Sequence, residues 1–234
     1  MRVLAATVLA LTLAAPATAH DVERTEALMM DVAALRQVAA DGVAESERAE
    51  ATFRLGETVE TLVEALNADV AAHGTRDLFA ELVARRLQAQ ALNVAWTPDV
   101  NRYVYDLAAF HDYLRRAPRG PSAPEAKFRL LARRFYATLG PDPGTLGPID
   151  VASLQRAVGE CERFLANHPA HARAGTVRFF VAVDHYRLAR SVGSPAHRAR
   201  HEHLARQALQ QTVDRSTEAF EVRAAQTLLD RLGR

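Results

Sequence analysis

Cysteine and lysine are almost absent from this chain of 234 residues, and it carries no excess charge of either sign. A single cysteine, Cys161, cannot form an intramolecular disulfide, so the fold must be stabilised by packing. Lys127 is the sole lysine, and 29 basic residues face 28 acidic ones, for a formal net charge of +1. Without a basic excess, the chain as a whole lacks the electrostatic footprint of a nucleic-acid-binding protein.

The sequence also lacks an apolar run long enough to span a membrane. The run from Val3 to Ala15 is shorter than the roughly 20 residues that a hydrocarbon core requires. It follows a basic residue and is followed by small residues ending at Ala19, which is the pattern of a secretory signal peptide. We expect residues 1–19 to be removed before His20, and the mature chain to be periplasmic or secreted without a transmembrane anchor.

Apolar residues recur at three- and four-residue steps along most of the remaining chain. Leu55, Val59, Leu62 and Leu66 are one example, and this period is that of an amphipathic helix. No stretch shows the sustained alternation of a strand. The sequence therefore predicts an all-α protein with helices near 22–45, 49–73, 76–94, 100–116, 123–139, 150–167, 170–191, 195–213 and 216–232.

Helix-start and helix-breaking residues agree with these boundaries. The segment Ser122–Glu125 has the pattern of a capping box, and Asp150 and Ser194-Pro195 stand where helices should begin. The segment 140–148 is rich in glycine and proline and is predicted to be the least ordered part of the chain.

An internal repeat appears when the chain is compared with itself at an offset of 51 residues. Both copies span two predicted helices and the proline turn between them, so helical periodicity alone does not explain the match. A lone helical hairpin cannot bury its apolar face, and stacked neighbours supply the missing surface. The matched pairs are Tyr103 with Leu154, Leu107 with Val158, Phe110 with Cys161, Tyr113 with Phe164, Leu114 with Leu165, Pro118 with Pro169, Phe128 with Phe179, and Phe135 with Tyr186.

The segments 113–118 and 164–169 resemble tetratricopeptide-like repeats, in which a helix ends in aromatic-Leu and a proline turn follows. The closest resemblance is to helical-repeat proteins of the bacterial periplasm and envelope, over roughly residues 49–232. It implies a right-handed solenoid of helical hairpins that mediates protein–protein interaction. The spacing departs from the family, because tetratricopeptide units run about 34 residues. We expect one repeat domain over 20–234, with N-terminal helices over 20–99 and hairpins over 100–234.

Three histidines close together in the sequence suggest a metal site. His197 and His201 lie one helical turn apart on the same predicted face and could bind a metal ion together, whereas His203 points away from it. A third ligand would have to come from elsewhere, such as Cys161 or the histidines at 168 and 171. The alternative is that His197 and His201 lie at a seam between two packed helices.

Two further residues attract attention because reactive groups stand on apolar faces. Cys161 lies on the stripe of Leu154, Val158 and Leu165, which predicts a buried structural cysteine. Asp184 also lies on an apolar face, where a lone carboxylate is costly, so we expect an arginine partner, Arg187 or Arg156.

No nucleotide-binding, phosphate-loop, serine-hydrolase or zinc-protease motif occurs in the sequence. We therefore expect a protein that is not an enzyme and uses no cofactor. The leading hypothesis is an exported helical-repeat scaffold that binds a protein or peptide partner in the cell envelope. The alternative is a helical periplasmic protein that binds a metal or small ligand through His197 and His201.

Overall fold

The protein is mostly helical. The computed structural model describes residues 22–73, 78–138, 150–191 and 193–233, so the predicted breaker-rich segment 140–148 lies outside the described residues. No helix among the described residues has the length and apolar character needed to cross a membrane. The helices found in these ranges are α1 (Val22–Asp41), α2 (Glu45–His73), α3 (Leu78–Ala89), α4 (Ala108–Arg116), α5 (Ala123–Ala137), α6 (Val151–Asn167), α7 (Ala174–Ser191), α8 (Pro195–Arg215) and α9 (Ala219–Leu232).

A short β-hairpin interrupts the helices and corrects one prediction. The helix expected over 100–116 begins only at Ala108, because strands β1 (Val94–Thr97) and β2 (Arg102–Tyr105) pair antiparallel immediately before it. A single 3-10 turn joins the strands, and Asn101 closes that turn in the left-handed conformation that asparagine tolerates well. The strands are only four residues long, too short for an alternating pattern to stand out against helical spacing.

The described chain divides into two compact units. The first contains the described residues up to Ala34 together with Glu57–Asp106, and it includes the hairpin. Side-chain amides satisfy the hairpin's backbone: Asn67 bonds both the amide and the carbonyl of Tyr103, at 2.7 and 2.9 Å. Gln88 donates to the carbonyl of Val94 at 2.8 Å. The side-chain amides thus form hydrogen bonds with backbone groups that would otherwise be unpaired at the edges of these short strands.

The second unit contains Leu35–Gly56 and the chain from Leu107 onward. Its helices pack in sequence order, α4 on α5 through to α8 on α9, and α7 also contacts α5 and α9. Every residue of α7 from Phe179 to Ala189 is buried. A helix buried all round must be enclosed by neighbours, so α7 is the central element of this unit.

Two predicted helix starts have different outcomes. Asp150 caps α6, because its carboxylate accepts a hydrogen bond from the amide of Ala152 at 3.1 Å. The capping box at Ser122–Glu125 is wrong. The Ser122 hydroxyl makes no cap bond and donates instead to Glu50 Oε2 at 2.8 Å. Glu125 pairs with Arg129 one turn further along α5.

The turns between α4 and α5 and between α6 and α7 repeat at the predicted offset of 51 residues. Ala117 and His168 end the first helix of each pair with closely similar backbone angles, φ −134 and ψ 66 against φ −135 and ψ 54. The second helices begin at Ala123 and Ala174, which differ by 174 − 123 = 51. The prediction that Ala117 and His168 end these helices is confirmed.

Backbone hydrogen bonds of the two turns also correspond. The bonds from Gly120 to Ala117 and from Ala123 to Gly120 in the first turn recur in the second as His171 to His168 and Ala174 to His171. The first copy of the repeat is shorter at its start. Tyr103 lies in β2, whereas its match Leu154 lies in α6.

The two turns carry different side chains at two equivalent positions. In the first turn, the Tyr113 hydroxyl accepts the amide hydrogen of Ser122 at 3.0 Å, and a Cβ on Gly120 would lie 2.4 Å from that hydroxyl. In the second turn, phenylalanine replaces the tyrosine and His171 replaces the glycine. The His171 Nδ1 now accepts the equivalent amide hydrogen, from Arg173, at 3.2 Å. Each turn therefore satisfies the same backbone amide with a different side chain.

Candidate functional site

The second unit exposes two aromatic side chains, and these are the only exposed aromatics among the described residues. Tyr136, near the end of α5, is 49% exposed, and Phe220, at the start of α9, is 55% exposed. The Tyr136 ring packs edge-on against Phe135 and Phe180, with centroids 5.4 and 5.7 Å away. One face of Tyr136 is thus fixed by the core while the rest remains open to a partner.

Charged groups from α9 and from the turn before α7 surround Tyr136. Burial, Glu221 and Glu218 raise the pKa of the Tyr136 hydroxyl, while Arg173 opposes that shift. Arg173 lies 3.9 Å from Glu218, and both side chains are about half exposed or more, so this ion pair is loose and open to exchange. We call Tyr136, Arg173 and Glu218 the Tyr136 face.

The guanidinium of Arg173 also lies 5.8 Å from the ring centroid of Phe128, within cation–π range. This contact holds Arg173 at the edge of the aromatic core formed by α5 and α7. The Tyr136 face therefore combines an aromatic ring, a cation and a carboxylate on side chains that α5, α7 and α9 position together.

The two histidines predicted as metal ligands differ in exposure. His197 is exposed on α8, while His201 lies against α7, where its Nδ1 is 3.1 Å from the Nδ1 of His185. His203 is exposed. Among the residues that the structure describes, no three metal-ligating side chains are grouped so as to hold an ion. His201 does lie at a helix–helix seam, which was the alternative interpretation, and its neighbour there is His185.

Both histidines at the seam are held neutral. Burial lowers the pKa of His185 to about 4, with smaller contributions from His201 and Arg200. Burial also lowers the pKa of His201, assisted by Arg200 and His197. Because these neighbours are cationic or neutral, they disfavour protonation and leave the imidazole nitrogens available as ligands near neutral pH.

The interior of the second unit contains the predicted buried cysteine and carboxylate. Cys161 is buried, and burial, with the Asp184 charge, raises the pKa of its thiol to about 12. Burial likewise raises the pKa of Asp184 to about 6, against the attraction of Arg187. Such a thiol is a poor nucleophile, because the thiolate is the reactive form. The structure thus gives Cys161 the packing role that its stripe predicted.

Arg187 is the arginine that Asp184 required. Its Nη1 lies 3.5 Å from the Asp184 carboxylate, and both side chains are almost completely buried. The same guanidinium donates to the hydroxyl of Thr138 at 2.7 Å and to its carbonyl at 3.0 Å. Thr138 ends α5, so this group of charges fastens the end of α5 to the central helix α7.

Sequence reasoning missed His185 as a neighbour of His201 and did not single out Tyr136. Helical spacing indicates which residues of one helix share a face, and the two histidines stand on different helices 16 residues apart. The sequence of α7 does not indicate which of its faces meets α8, because apolar residues occur on all sides of that helix.

No protein-family model matches the chain, and no curated protein matches it either.

Proposed function

We propose that this protein is an exported, tetratricopeptide-like scaffold of stacked helical hairpins that binds a protein or peptide partner in the cell envelope through the Tyr136 face. The proposal depends mainly on one observation. A half-exposed tyrosine near the end of α5 lies close to two charged residues, Arg173 immediately before α7 and Glu218 immediately before α9. In the proposed array, α5, α7 and α9 are the second helices of three successive hairpins.

The arrangement of helices supports a repeat array. Successive helices pack as neighbours, and α7 contacts the corresponding helices α5 and α9 on either side. The turn at 117–123 recurs at 168–174 with corresponding backbone hydrogen bonds. In repeat proteins, neighbouring units together form an extended surface at which partners bind.

The chemistry of the Tyr136 face suits a protein partner. Tyrosine and arginine are enriched at the centres of interfaces, because each offers a large contact area with a polar end. The loose pair of Arg173 and Glu218 can exchange one internal contact for charged groups on a partner. We place the anchor of the interaction at Tyr136 and its polar edge at Arg173 and Glu218.

Site-specific photo-crosslinking tests this function in the native envelope. A photoreactive phenylalanine at position 136 should give one discrete protein adduct. The matched control is position 43 in the same unit, where Val43 is 97% exposed and distant in the chain from the Tyr136 face. The charge reversal Arg173→Glu should weaken the adduct at 136.

An equal adduct at positions 43 and 136, or no adduct at 136, would contradict the proposal. The unfolding midpoint of each variant should match the wild type, since the substituted side chains are about half exposed or more. This comparison separates loss of partner binding from loss of the fold.

A further inference from the structure

We propose that His185 and His201 form a binding site for a divalent transition-metal ion such as Zn²⁺ or Cu²⁺, with the two Nδ1 atoms as its protein ligands. This site is independent of the Tyr136 face. It differs from the pair expected from sequence, because its two ligands stand on different helices. Neutral imidazole nitrogens are ligands that both of these ions accept.

The distance between the two ring nitrogens already fits a bound ion. Two nitrogens each about 2.0–2.1 Å from a tetrahedral zinc ion stand about 3.3 Å apart, and a right angle at the metal brings them to about 2.9 Å. The Nδ1 atoms of His185 and His201 are 3.1 Å apart, between these two values. An ion could therefore take the place of the hydrogen that the two nitrogens share, provided that each ring turns so that its Nδ1 lone pair points at the ion and not at the other nitrogen.

The surroundings of the pair make the ligands available but limit the affinity. His185 is nearly completely buried and His201 is partly exposed, so the open coordination positions face the exposed side, where water can occupy them. The charged and titratable groups acting on the pair are Arg200 and His197 of α8. Arg200 repels a cation, so it should weaken metal binding.

A metal ion at this position would connect α7 to α8. The two ligands are 16 residues apart, and they join the central helix to the final hairpin of the second unit. An ion that binds the folded state alone stabilises it by mass action. A pair formed by His197 and His201 would instead lie on α8 alone, and would leave the contact between α7 and α8 unchanged.

Zinc titration of the full chain, purified without a histidine tag, tests the proposal. Zn²⁺ should bind one equivalent and raise the thermal unfolding midpoint, and a chelator should reverse the shift. His201→Ala should abolish the shift, whereas His197→Ala and the matched control His203→Ala should retain it. Arg200→Gln should bind Zn²⁺ several-fold more tightly, because a like charge has been removed.

The Arg200→Gln variant keeps the test decisive if His201→Ala proves poorly folded, since Arg200 is exposed and its replacement leaves both ligands in place. Unchanged zinc affinity in this variant would overturn the proposed site. Retention of the shift in His201→Ala, its loss in His197→Ala, or no shift in the wild type would each overturn it as well.

Discussion

The exchange of side chains between the two turns predicts a coupled effect of mutations at Tyr113 and Gly120. In Gly120→Ala the new Cβ would lie 2.4 Å from the Tyr113 hydroxyl, about 1 Å inside ordinary contact. Tyr113 is completely buried, and its ring packs edge-on against Phe53 at 5.4 Å, so it has little room to move. The hydroxyl should be displaced from its partners.

The magnitude follows from the hydrogen bonds that the hydroxyl makes. It donates to Glu50 Oε1 at 3.0 Å and accepts the amide hydrogen of Ser122 at 3.0 Å. Losing two such bonds, with a partly buried amide left unsatisfied, costs about 2–4 kcal/mol. Tyr113→Phe removes the same two bonds and should cost a similar amount. In that background, Gly120→Ala should cost clearly less than in the wild type, because only the contacts of its Cβ with Ala117 Cβ at 3.0 Å and the Ala117 carbonyl oxygen at 3.3 Å remain, giving a coupling energy of about 2 kcal/mol.

Urea denaturation of the wild type, the two single variants and the double variant measures this coupling. The second turn supplies the reciprocal test. Phe164→Tyr should be destabilising, because the new hydroxyl would meet His171, and Phe164→Tyr with His171→Gly should recover part of the loss. Additive costs in the first cycle would refute the inference that a side chain at position 120 and the Tyr113 hydroxyl compete for the same space.

Three further predictions concern the interior and one helix end. Because the pKa of Asp184 is raised, the free energy of unfolding should fall by about 3 kcal/mol as the pH increases from about 4 to 6. Because the pKa of His185 is lowered, the free energy of unfolding should rise by about 3 kcal/mol as the pH increases from about 4 to 6.5. The two effects oppose each other, so Asp184→Asn should reveal a rise with pH that chemical denaturation of the wild type barely shows; a flat profile in the variant would contradict the lowered pKa of His185. A thiol reagent should label Cys161 in the native protein only on the timescale of unfolding, because its pKa is raised to about 12, and labelling within seconds would show that the thiol is accessible. Ala91 ends α3 in the left-handed conformation with both hydrogen bonds of a Schellman motif, so Ala91→Gly should raise thermal stability by about 1 kcal/mol, while Ala33→Gly inside α1 should lower it by a similar amount.

The sequence predicted the helical character of the chain and much of the order of its helices. Apolar spacing within one helix is a local property, and for that reason the starts of α5 and α6 lie within one residue of their predicted positions. The repeated proline turn could also be predicted from the sequence, because proline restricts the residue before it to a non-helical backbone. Ala117 and His168 end their helices for this reason.

Other local predictions failed where a tertiary contact competed with the local pattern. Ser122 and Glu125 have the sequence of a capping box, yet Glu50 of α2 accepts the serine hydroxyl and Arg129 holds the glutamate. The strands β1 and β2 are four residues each and are stabilised by pairing with each other and by amides of α2 and α3. A pattern within a short segment of sequence does not contain these partners, because they come from other parts of the chain.

The proposed sites depend on tertiary structure even more strongly. The sequence identified His201 as a ligand candidate, but it offered His197 as the neighbour, because spacing reports only residues on the same helix. The packing of α8 on α7 decided that His185 would be 3.1 Å away. Likewise, Tyr136 lies near Glu218 and Glu221 because α5 and α9, which are more than 80 residues apart in the chain, both pack against α7. Local periodicity determines which elements form, whereas the contacts between those elements determine which side chains can act together.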